Sequence, residues 1–198
     1  MNSDQFENDV TVVGTGRVGL PLALSLLERG VTVKGVDVDA GLVKAVAARR
    51  MPFKEPGYDE VLKEHGLEIG SDHGLVADSR FVVITVGTPL QKHVETDLKS
   101  IRHAIDRSAP HLRRGQTIIL RSTVTPGTTE YVRRYLEQRT GFRVGRGLYL
   151  AFCPERIAEG KAREELATLP QIVGSEDSES ANRAERLFRN LVPDILHT

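Results

Sequence analysis

Short apolar runs recur along the chain, and longer segments with helical spacing separate them. The runs are rich in β-branched residues and show little alternation of apolar and polar positions. This pattern is typical of strands that are covered on both faces, as in a parallel sheet. We predict five such strands and a short sixth one, at residues 10–14, 31–37, 80–86, 116–122, 147–153 and 170–174.

The segments between these runs carry apolar residues three or four positions apart, which indicates amphipathic helices. Leu20, Leu24 and Leu27 share one face of the first helix, and Gly30 is placed to end it. The segment 51–75 has a poorer pattern and predicts a loop that carries a short helix. Further helices are predicted around residues 101–112, 126–140 and 181–191.

Strands that alternate with helices of this length predict an α/β fold: a doubly wound, Rossmann-type parallel sheet with helices on both faces. We expect residues 1–198 to form a single domain of this kind. Ligands of such sheets bind outside the carboxyl ends of the strands. Unusual sequences follow five of the predicted strands, namely GTGRVG at 14–19, Asp37, GTP at 87–89, RSTVTPGTT at 121–129 and CPER at 153–156.

The glycine-rich loop at 14–19 has the spacing of a dinucleotide-binding loop. Gly14 would permit a tight turn, Gly16 would let a pyrophosphate approach the backbone, and Gly19 would let the helix pack on the strand. The N–H groups at the helix start favour phosphate, so we expect this loop, with Val18, to bind a cofactor. Arg17 either adds charge near the pyrophosphate or faces solvent. The alternative, a glycine-rich turn without a ligand, is disfavoured by the strand before it and the helix after it.

Asp37 ends the second predicted strand, 23 residues beyond the first glycine of the loop. An acid at this place accepts hydrogen bonds from the adenosine ribose and repels a 2′-phosphate. The next residue is Val38, where a chain specific for NADP would often offer arginine. The cofactor is therefore predicted to be NAD. Asp39 is predicted to cap the following helix.

The composition narrows the function classes further. Lys and Arg together number 27, as do Asp and Glu, so the formal net charge is zero, which argues against a nucleic-acid partner. Cys153 is the single cysteine, which excludes an internal disulfide and a C-x-x-C metal motif. The six histidines show no ligand spacing, so we expect surface histidines and no metal. The polar N-terminus and the short apolar runs predict a cytoplasmic protein without a membrane partner.

Several segments resemble one family closely. They are VVGTGRVGLPLALSLLERG, GVDVD, ITVGTPL, LRSTVTPGTTE and CPERIAEGKAREELATLPQIVG, and they span nearly the whole chain in family order. The chain is therefore similar to the UDP-glucose/GDP-mannose dehydrogenase family. The resemblance implies an enzyme that oxidises the C6 alcohol of a UDP-sugar to a carboxylate in two NAD-dependent steps. The form PERIAEGKA is more like that of enzymes acting on UDP-N-acetylmannosamine or UDP-N-acetylglucosamine.

The same resemblance assigns roles to individual residues. Thr88 and Thr123 would contact NAD, and Thr123 would also border the reacting centre as a catalytic residue. Glu155 matches a glutamate that acts as a general acid or base or activates water. A carboxyl group at the edge of a cleft can do this when its pKa is tuned. Arg156 and Ile157, with Glu155, would line the substrate side. The alternative for Glu155 and Arg156 is an ordinary ion pair at a strand end.

Two departures from the family pattern matter. Arg17 stands where the family usually has Tyr, which leaves a cofactor contact at that side chain open. Family members also continue through two further domains, so we expect the nucleophilic cysteine and the catalytic lysine beyond residue 198. We expect this part alone to bind NAD without turnover. Cys153 is expected to be a small apolar filler.

The resemblance further implies that the full-length protein is a homodimer or a larger assembly. Two alternatives remain at this point. One is the first domain of another dehydrogenase, of the 3-hydroxyacyl-CoA or 6-phosphogluconate type. The other is a non-catalytic module that senses NAD.

Overall fold

The computed structural model describes residues 6–87 and 98–198. The strands in these ranges are β1 (Asn8–Val13), β2 (Val33–Val36), β3 (Glu68–Gly70), β4 (Ser79–Ile84), β5 (Thr117–Leu120), β6 (Tyr149–Phe152), β7 (Gln171–Val173) and β8 (Ile195–His197). The helices are α1 (Gly19–Glu28), α2 (Ala40–Ala47), α3 (Tyr58–His65), α4 (Lys99–Ser108), α5 (Thr128–Thr140), α6 (Ala162–Thr168) and α7 (Ser178–Phe188). Short 3-10 turns precede β4 and follow α4.

Six strands form one sheet in the order β3-β2-β1-β4-β5-β6, and every pairing in it is parallel. β7 and β8 form a separate parallel pair, which an antiparallel bridge between Phe152 and Gly174 connects to the end of β6. The chain runs outward from β1 to β3 and then returns to β4 beside β1. The strand order therefore reverses between β1 and β4, the place where such sheets bind ligands.

Helices cover both faces of the sheet, as the sequence predicts. One core lies under α1, α3, α6 and α7, with Leu24, Leu62 and Phe188 among its buried side chains. The other lies under α4 and α5, around Ile105 and Leu136. The β-branched residues of the central strands alternate between these two cores, which explains the continuous apolar runs of the sequence.

The six strand predictions are confirmed with small differences at their ends. β3 and β8 were not predicted; like β7 each has three residues, but neither is bounded by a proline and a glycine as β7 is. The segment 51–75 does carry a short helix, α3. Gly30 follows α1 with φ of 79° and donates its N–H to the carbonyl of Leu27, as expected for a residue ending a helix. Within residues 6–87 and 98–198, no helix has both the length and the apolar character needed to cross a membrane.

Candidate functional site

The described residues of the five unusual sequences lie at one edge of the sheet, with GTP represented by Gly87 alone. Because the strands are parallel, their carboxyl ends share that edge, and hydrogen bonds connect each end to its neighbour. These bonds join Gly14 N to Val36 O (2.8 Å), Thr85 N to Val13 O (2.9 Å), Ser122 Oγ to Val86 O (2.6 Å) and Glu155 N to Arg121 O (3.0 Å). The structure therefore brings together the signatures that the sequence separates by up to 140 residues.

Each glycine of the loop between β1 and α1 has a different structural role. Gly14 has φ of 92°, in the left-handed region that favours glycine. A Cβ on Gly19 would lie 2.0 Å from the carbonyl oxygen of Gly14 and 2.5 Å from the hydroxyl of Thr85, so α1 can approach β1 only with glycine there. A Cβ on Gly16 would meet nothing within 4 Å. The space beside Gly16 is open, as a bound pyrophosphate would require.

Asp37 lies at the end of β2 and faces the glycine loop. Its Oδ2 accepts from the backbone N–H of Thr15 at 2.6 Å and from the Thr15 hydroxyl at 3.3 Å. Its Oδ1 accepts from the N–H of Asp39 at 3.0 Å. Asp39 itself caps α2 by accepting from the N–H groups of the first turn, as predicted. Val38 is 66% exposed between the two acids.

A cavity of about 750 Å³ opens beside these groups, at the point where the strand order reverses. Gly14, Gly16, Asp37, Val86 and His103 are among the residues that line it. Its volume is in the range of pockets that hold organic cofactors. The N-terminal part of α4 forms its outer wall, so the cavity lies between the strand ends and α4.

His73 also lines this cavity, and its position corrects the expectation of surface histidines. The side chain is only 4% exposed, and its Nδ1 lies 2.9 Å from the hydroxyl of Ser108. Burial, with the nearby positive charge of Arg107, lowers the pKa of His73 to about 4. The ring is therefore neutral at physiological pH. No periodic pattern signalled this, because a lone histidine in the irregular segment before β4 has no distinguishing neighbours. His93 lies outside the described residues.

A second, smaller cavity of about 90 Å³ lies on the other side of the glycine loop. Arg17 and Val18 line it, together with Glu155, Ile157 and Glu159 from the loop that connects β6 to α6, hereafter the β6–α6 loop (residues 153–161). The guanidinium of Arg17 pairs with Glu159 and lies 5.2 Å from the ring centroid of Phe53. The structure thus places Arg17 and Val18 of the glycine loop against the β6–α6 loop rather than in the wall of the large cavity.

The carboxylate of Glu155, at the end of β6, accepts hydrogen bonds from a side chain and from two backbone N–H groups. Its Oε2 accepts from Nε and Nη2 of Arg121, each at 2.9 Å. Its Oε1 accepts from the backbone N–H groups of Arg156 and Ile157, at 2.7 and 2.8 Å. The alternative of an ordinary ion pair between Glu155 and Arg156 is not found. Glu155 pairs with Arg121, and the guanidinium of Arg156 donates to the carbonyl of Pro170.

The sequence analysis did not single out Arg121. Among the described residues it is the largest fully buried side chain, with 2% of it exposed. Its Nη1 donates to Oε1 of Gln171 at 2.9 Å, and its guanidinium carbon lies 5.1 Å from the ring centroid of Phe188. One cation therefore joins β5, the β6–α6 loop, β7 and α7. A single arginine directly after an apolar run was the only signal available.

Glu55 is a second buried acid that the sequence did not reveal, with 3% of the residue exposed. Its carboxylate accepts from the N–H groups of Gly160 and Ala162, both at 3.1 Å. Ala162 begins α6, where a negative charge is stabilised by the unpaired N–H groups of the helix. Glu55 thereby fixes the far end of the β6–α6 loop against the irregular segment before α3.

The remaining predicted residues are placed as follows. Thr123 is exposed after β5, at the same edge. Cys153 is fully buried, and burial raises the pKa of its thiol to about 12, which agrees with a packing role. Thr88 lies outside the described residues. Within the described part of the chain, no group of three or more His, Cys, Asp or Glu side chains could hold a metal ion.

Comparison with known proteins shows which family has this sequence and fold. The family described as "UDP-glucose/GDP-mannose dehydrogenase family, NAD binding domain" matches residues 8–192. The UDP-N-acetyl-D-mannosamine dehydrogenase of Pyrococcus horikoshii is 34% identical over 187 residues, and its solved structure superposes with a TM-score of 0.90 over 96% of this chain. The UDP-glucose 6-dehydrogenase of Bacillus subtilis is 31% identical over 197 residues. A ternary complex of GDP-mannose dehydrogenase from Pseudomonas aeruginosa superposes with a TM-score of 0.89 at 29% identity over 96% of this chain.

The chain spans less than half the length of these relatives. The alignment with the Pyrococcus horikoshii sequence covers 92% of this chain and 44% of that relative. The alignment with the Bacillus subtilis sequence covers 96% of this chain and 44% of that relative. For the two superposed structures the corresponding shares of the relatives are both 46%.

Proposed function

We propose a function from one premise: the chain belongs to the UDP-glucose/GDP-mannose dehydrogenase family and matches its NAD-binding domain. We infer that it serves an enzyme that oxidises the C6 alcohol of a UDP-sugar to a carboxylate in two NAD-dependent steps. The proposal concerns the whole enzyme, of which the chain corresponds to the NAD-binding portion. The observation that carries it is the row of five strand ends connected by hydrogen bonds, of which the ends of β1, β2 and β4 line one large cavity.

The residues at the large cavity fit a dinucleotide. Gly16 leaves open space beside the backbone, and the start of α1 offers the N–H groups and positive helix end that phosphates favour. Asp37 offers a carboxylate to the adenosine ribose, and that carboxylate disfavours the 2′-phosphate of NADP. Bound NAD would supply a hydride acceptor. The chain's own residues bind and orient it, through Gly14, Gly16 and Asp37.

The sugar side of the reaction is proposed to face the smaller cavity. Glu155 and Ile157 line it, and Thr123 follows the neighbouring strand end. Thr123 and Glu155 are the proposed catalytic residues. Arg156 is proposed to contact the substrate after its guanidinium leaves the carbonyl of Pro170. Because the thiol of Cys153 is buried and has a raised pKa, no covalent role is assigned to it.

Among substrates, UDP-N-acetylmannosamine is favoured. The sequence PERIAEGKA supports it, and so does the 34% identity to the Pyrococcus horikoshii UDP-N-acetyl-D-mannosamine dehydrogenase. A dehydrogenase of the 3-hydroxyacyl-CoA or 6-phosphogluconate type is not favoured, because the family match extends over residues 8–192. A sensor of NAD without catalysis is a second candidate, and it shares the cofactor site.

The proposal is tested in two stages. Calorimetry on the purified protein should show binding of NAD and weaker binding of NADP; absence of NAD binding contradicts the proposed cofactor site. The full-length gene product is then given NAD with UDP-N-acetylmannosamine, UDP-glucose or GDP-mannose, and mass spectrometry follows the carboxylate product. Product from UDP-N-acetylmannosamine supports the proposal. NAD binding without oxidation of any of the three sugars supports the sensor.

A further inference from the structure

The carboxylate of Asp37 is already largely occupied by protein donors. A carboxylate has two oxygens with about four acceptor sites in all. The N–H and the hydroxyl of Thr15 use both sites of Oδ2, at 2.6 and 3.3 Å, and the N–H of Asp39 uses one site of Oδ1, at 3.0 Å. Among the described residues no further donor reaches Asp37, so one site on Oδ1 remains for a ligand.

The partner of Asp37, Thr15, is the second residue of the glycine loop and is fully buried. A Cβ on Gly35 of β2 would lie 3.0 Å from the Thr15 methyl group, so β2 and the loop are in close contact here. The 2.6 Å bond from the Thr15 N–H therefore fixes the loop to the end of β2 directly before Gly16. Gly16 is the residue beside which the pyrophosphate has space.

We propose that Asp37 is a positioning residue for the glycine loop as well as a ribose-binding residue, and that it accepts from one ribose hydroxyl only. Through Thr15 the carboxylate holds the loop in the shape that receives the diphosphate. The inference rests on the proposed NAD site and adds a second role to one of its residues. It predicts that Asp37 contributes to the binding of ligands that have no ribose hydroxyl at all.

The two roles predict changes of opposite direction in the affinity for a ligand without ribose hydroxyls. Asp37 carries a negative charge near the bound diphosphate. If Asp37 acted on the ribose alone, replacing it with Asn would leave a ligand without ribose hydroxyls unaffected, or would tighten its binding by removing charge repulsion. If Asp37 positions the loop, the same replacement weakens that ligand, because the charged bond to the Thr15 N–H is lost.

The experiment is calorimetry of the wild type and of Asp37→Asn with ADP and with 2′,3′-dideoxy-ADP. We expect Asp37→Asn to weaken 2′,3′-dideoxy-ADP about 3- to 10-fold, and ADP by more than that. Asp39→Asn is the matched control: it removes the same charge two residues away and keeps a side chain that caps helices well. We expect it to change either affinity by less than about 2-fold.

Unchanged or tighter binding of 2′,3′-dideoxy-ADP by Asp37→Asn overturns the inference, even if NAD and ADP bind more weakly. A wild type that binds neither NAD nor ADP overturns the proposed function instead. Asp37→Ser is measured in parallel, so that the result does not depend on the folding of one variant. As an independent readout, the Thr15 amide proton of the ligand-free protein should move upfield in Asp37→Asn, and an unmoved resonance also contradicts the loop contact.

Discussion

At the scale of single residues, Asp37 is proposed to determine which dinucleotide the site prefers. It lines the large cavity next to Val38, which is 66% exposed and offers no positive charge for a 2′-phosphate. We predict that Asp37→Ala weakens NAD binding by about 1.5–3 kcal/mol, through loss of hydrogen bonds to a charged acceptor. NADP should lose less, because its repulsion disappears too.

The measurement for Asp37→Ala is the ratio of NAD and NADP dissociation constants in calorimetry. A ratio that stays at the wild-type value, with both constants unchanged, would mean that the ribose binds elsewhere. Asp39→Ala is not a suitable control here, because it removes the cap of α2. Asp39→Asn, which keeps a capping side chain, is the better one.

His73 makes the stability of the protein depend on pH in a direction that follows from its burial. Its pKa is about 4 in the fold against an ordinary value of about 6.5, so between these values the unfolded chain binds a proton that the folded chain does not. Stability contributed by this group is present above pH 6.5 and is lost as the pH falls toward 4. The loss approaches about 1.4 kcal/mol per pH unit in that window.

Urea unfolding at about pH 7 and about pH 5 measures this effect. His73→Gln is the comparison, since its amide can still bond with Ser108 but does not titrate. The wild type should lose more stability between the two pH values than His73→Gln does. Equal losses in both proteins would assign the pH dependence to other groups.

At the scale of elements, the approach of α1 to β1 depends on Gly19, and the proposed binding of phosphate depends on Gly16. We predict that Gly19→Ala destabilises the fold severely, by on the order of 3 kcal/mol, because its Cβ would overlap the carbonyl of Gly14 at 2.0 Å. Gly16→Ala should fold normally, since nothing lies within 4 Å of its added Cβ, but should bind NAD more weakly. Thermal unfolding and calorimetry on both variants check this, and a stable Gly19→Ala would contradict the packing.

The buried Arg121 connects β5, β7, α7 and the β6–α6 loop. Arg121→Met should cost on the order of 3–5 kcal/mol of unfolding free energy, because it leaves the Glu155 carboxylate buried without its cation. The double variant Arg121→Met, Glu155→Gln should recover part of that loss, since no uncompensated charge remains. Denaturant unfolding decides it: a double variant that equals the sum of the two single losses would show that the pair is not coupled.

These elements also show what a sequence can and cannot reveal. The central strands and the glycine loop were predictable, because a doubly buried strand imposes an apolar run and a close helix imposes Gly19. β3 and β8 were not, since three residues carry no period and neither strand has the proline and glycine that bound β7. Arg121, Glu55 and His73 were missed for a different reason. Each acts through partners 34 to 107 residues away, and no spacing within the chain encodes such contacts.

At the scale of the whole molecule, the proposed cofactor cavity lies beside the glycine loop that leads into α1, and α4 forms its outer wall. α1 packs on one core of the sheet and α4 on the other. A ligand bound there would contact α4 directly and the layer of α1 through the glycine loop. We therefore expect NAD to stabilise the protein as one cooperative unit rather than to stabilise one layer alone.

The prediction is a single unfolding transition that NAD shifts as a whole. At a free concentration 100 times its dissociation constant, NAD should add about 2.7 kcal/mol to the free energy of unfolding. Hydrogen exchange near global unfolding should slow by the same factor in α3, beside α1, and in α5, which packs with α4. If NAD protected the α4 and α5 layer while α3 exchanged at its ligand-free rate, the two layers would unfold separately. The cavity would then bind its ligand through one layer only, and the glycine loop would not be the anchor that its geometry indicates.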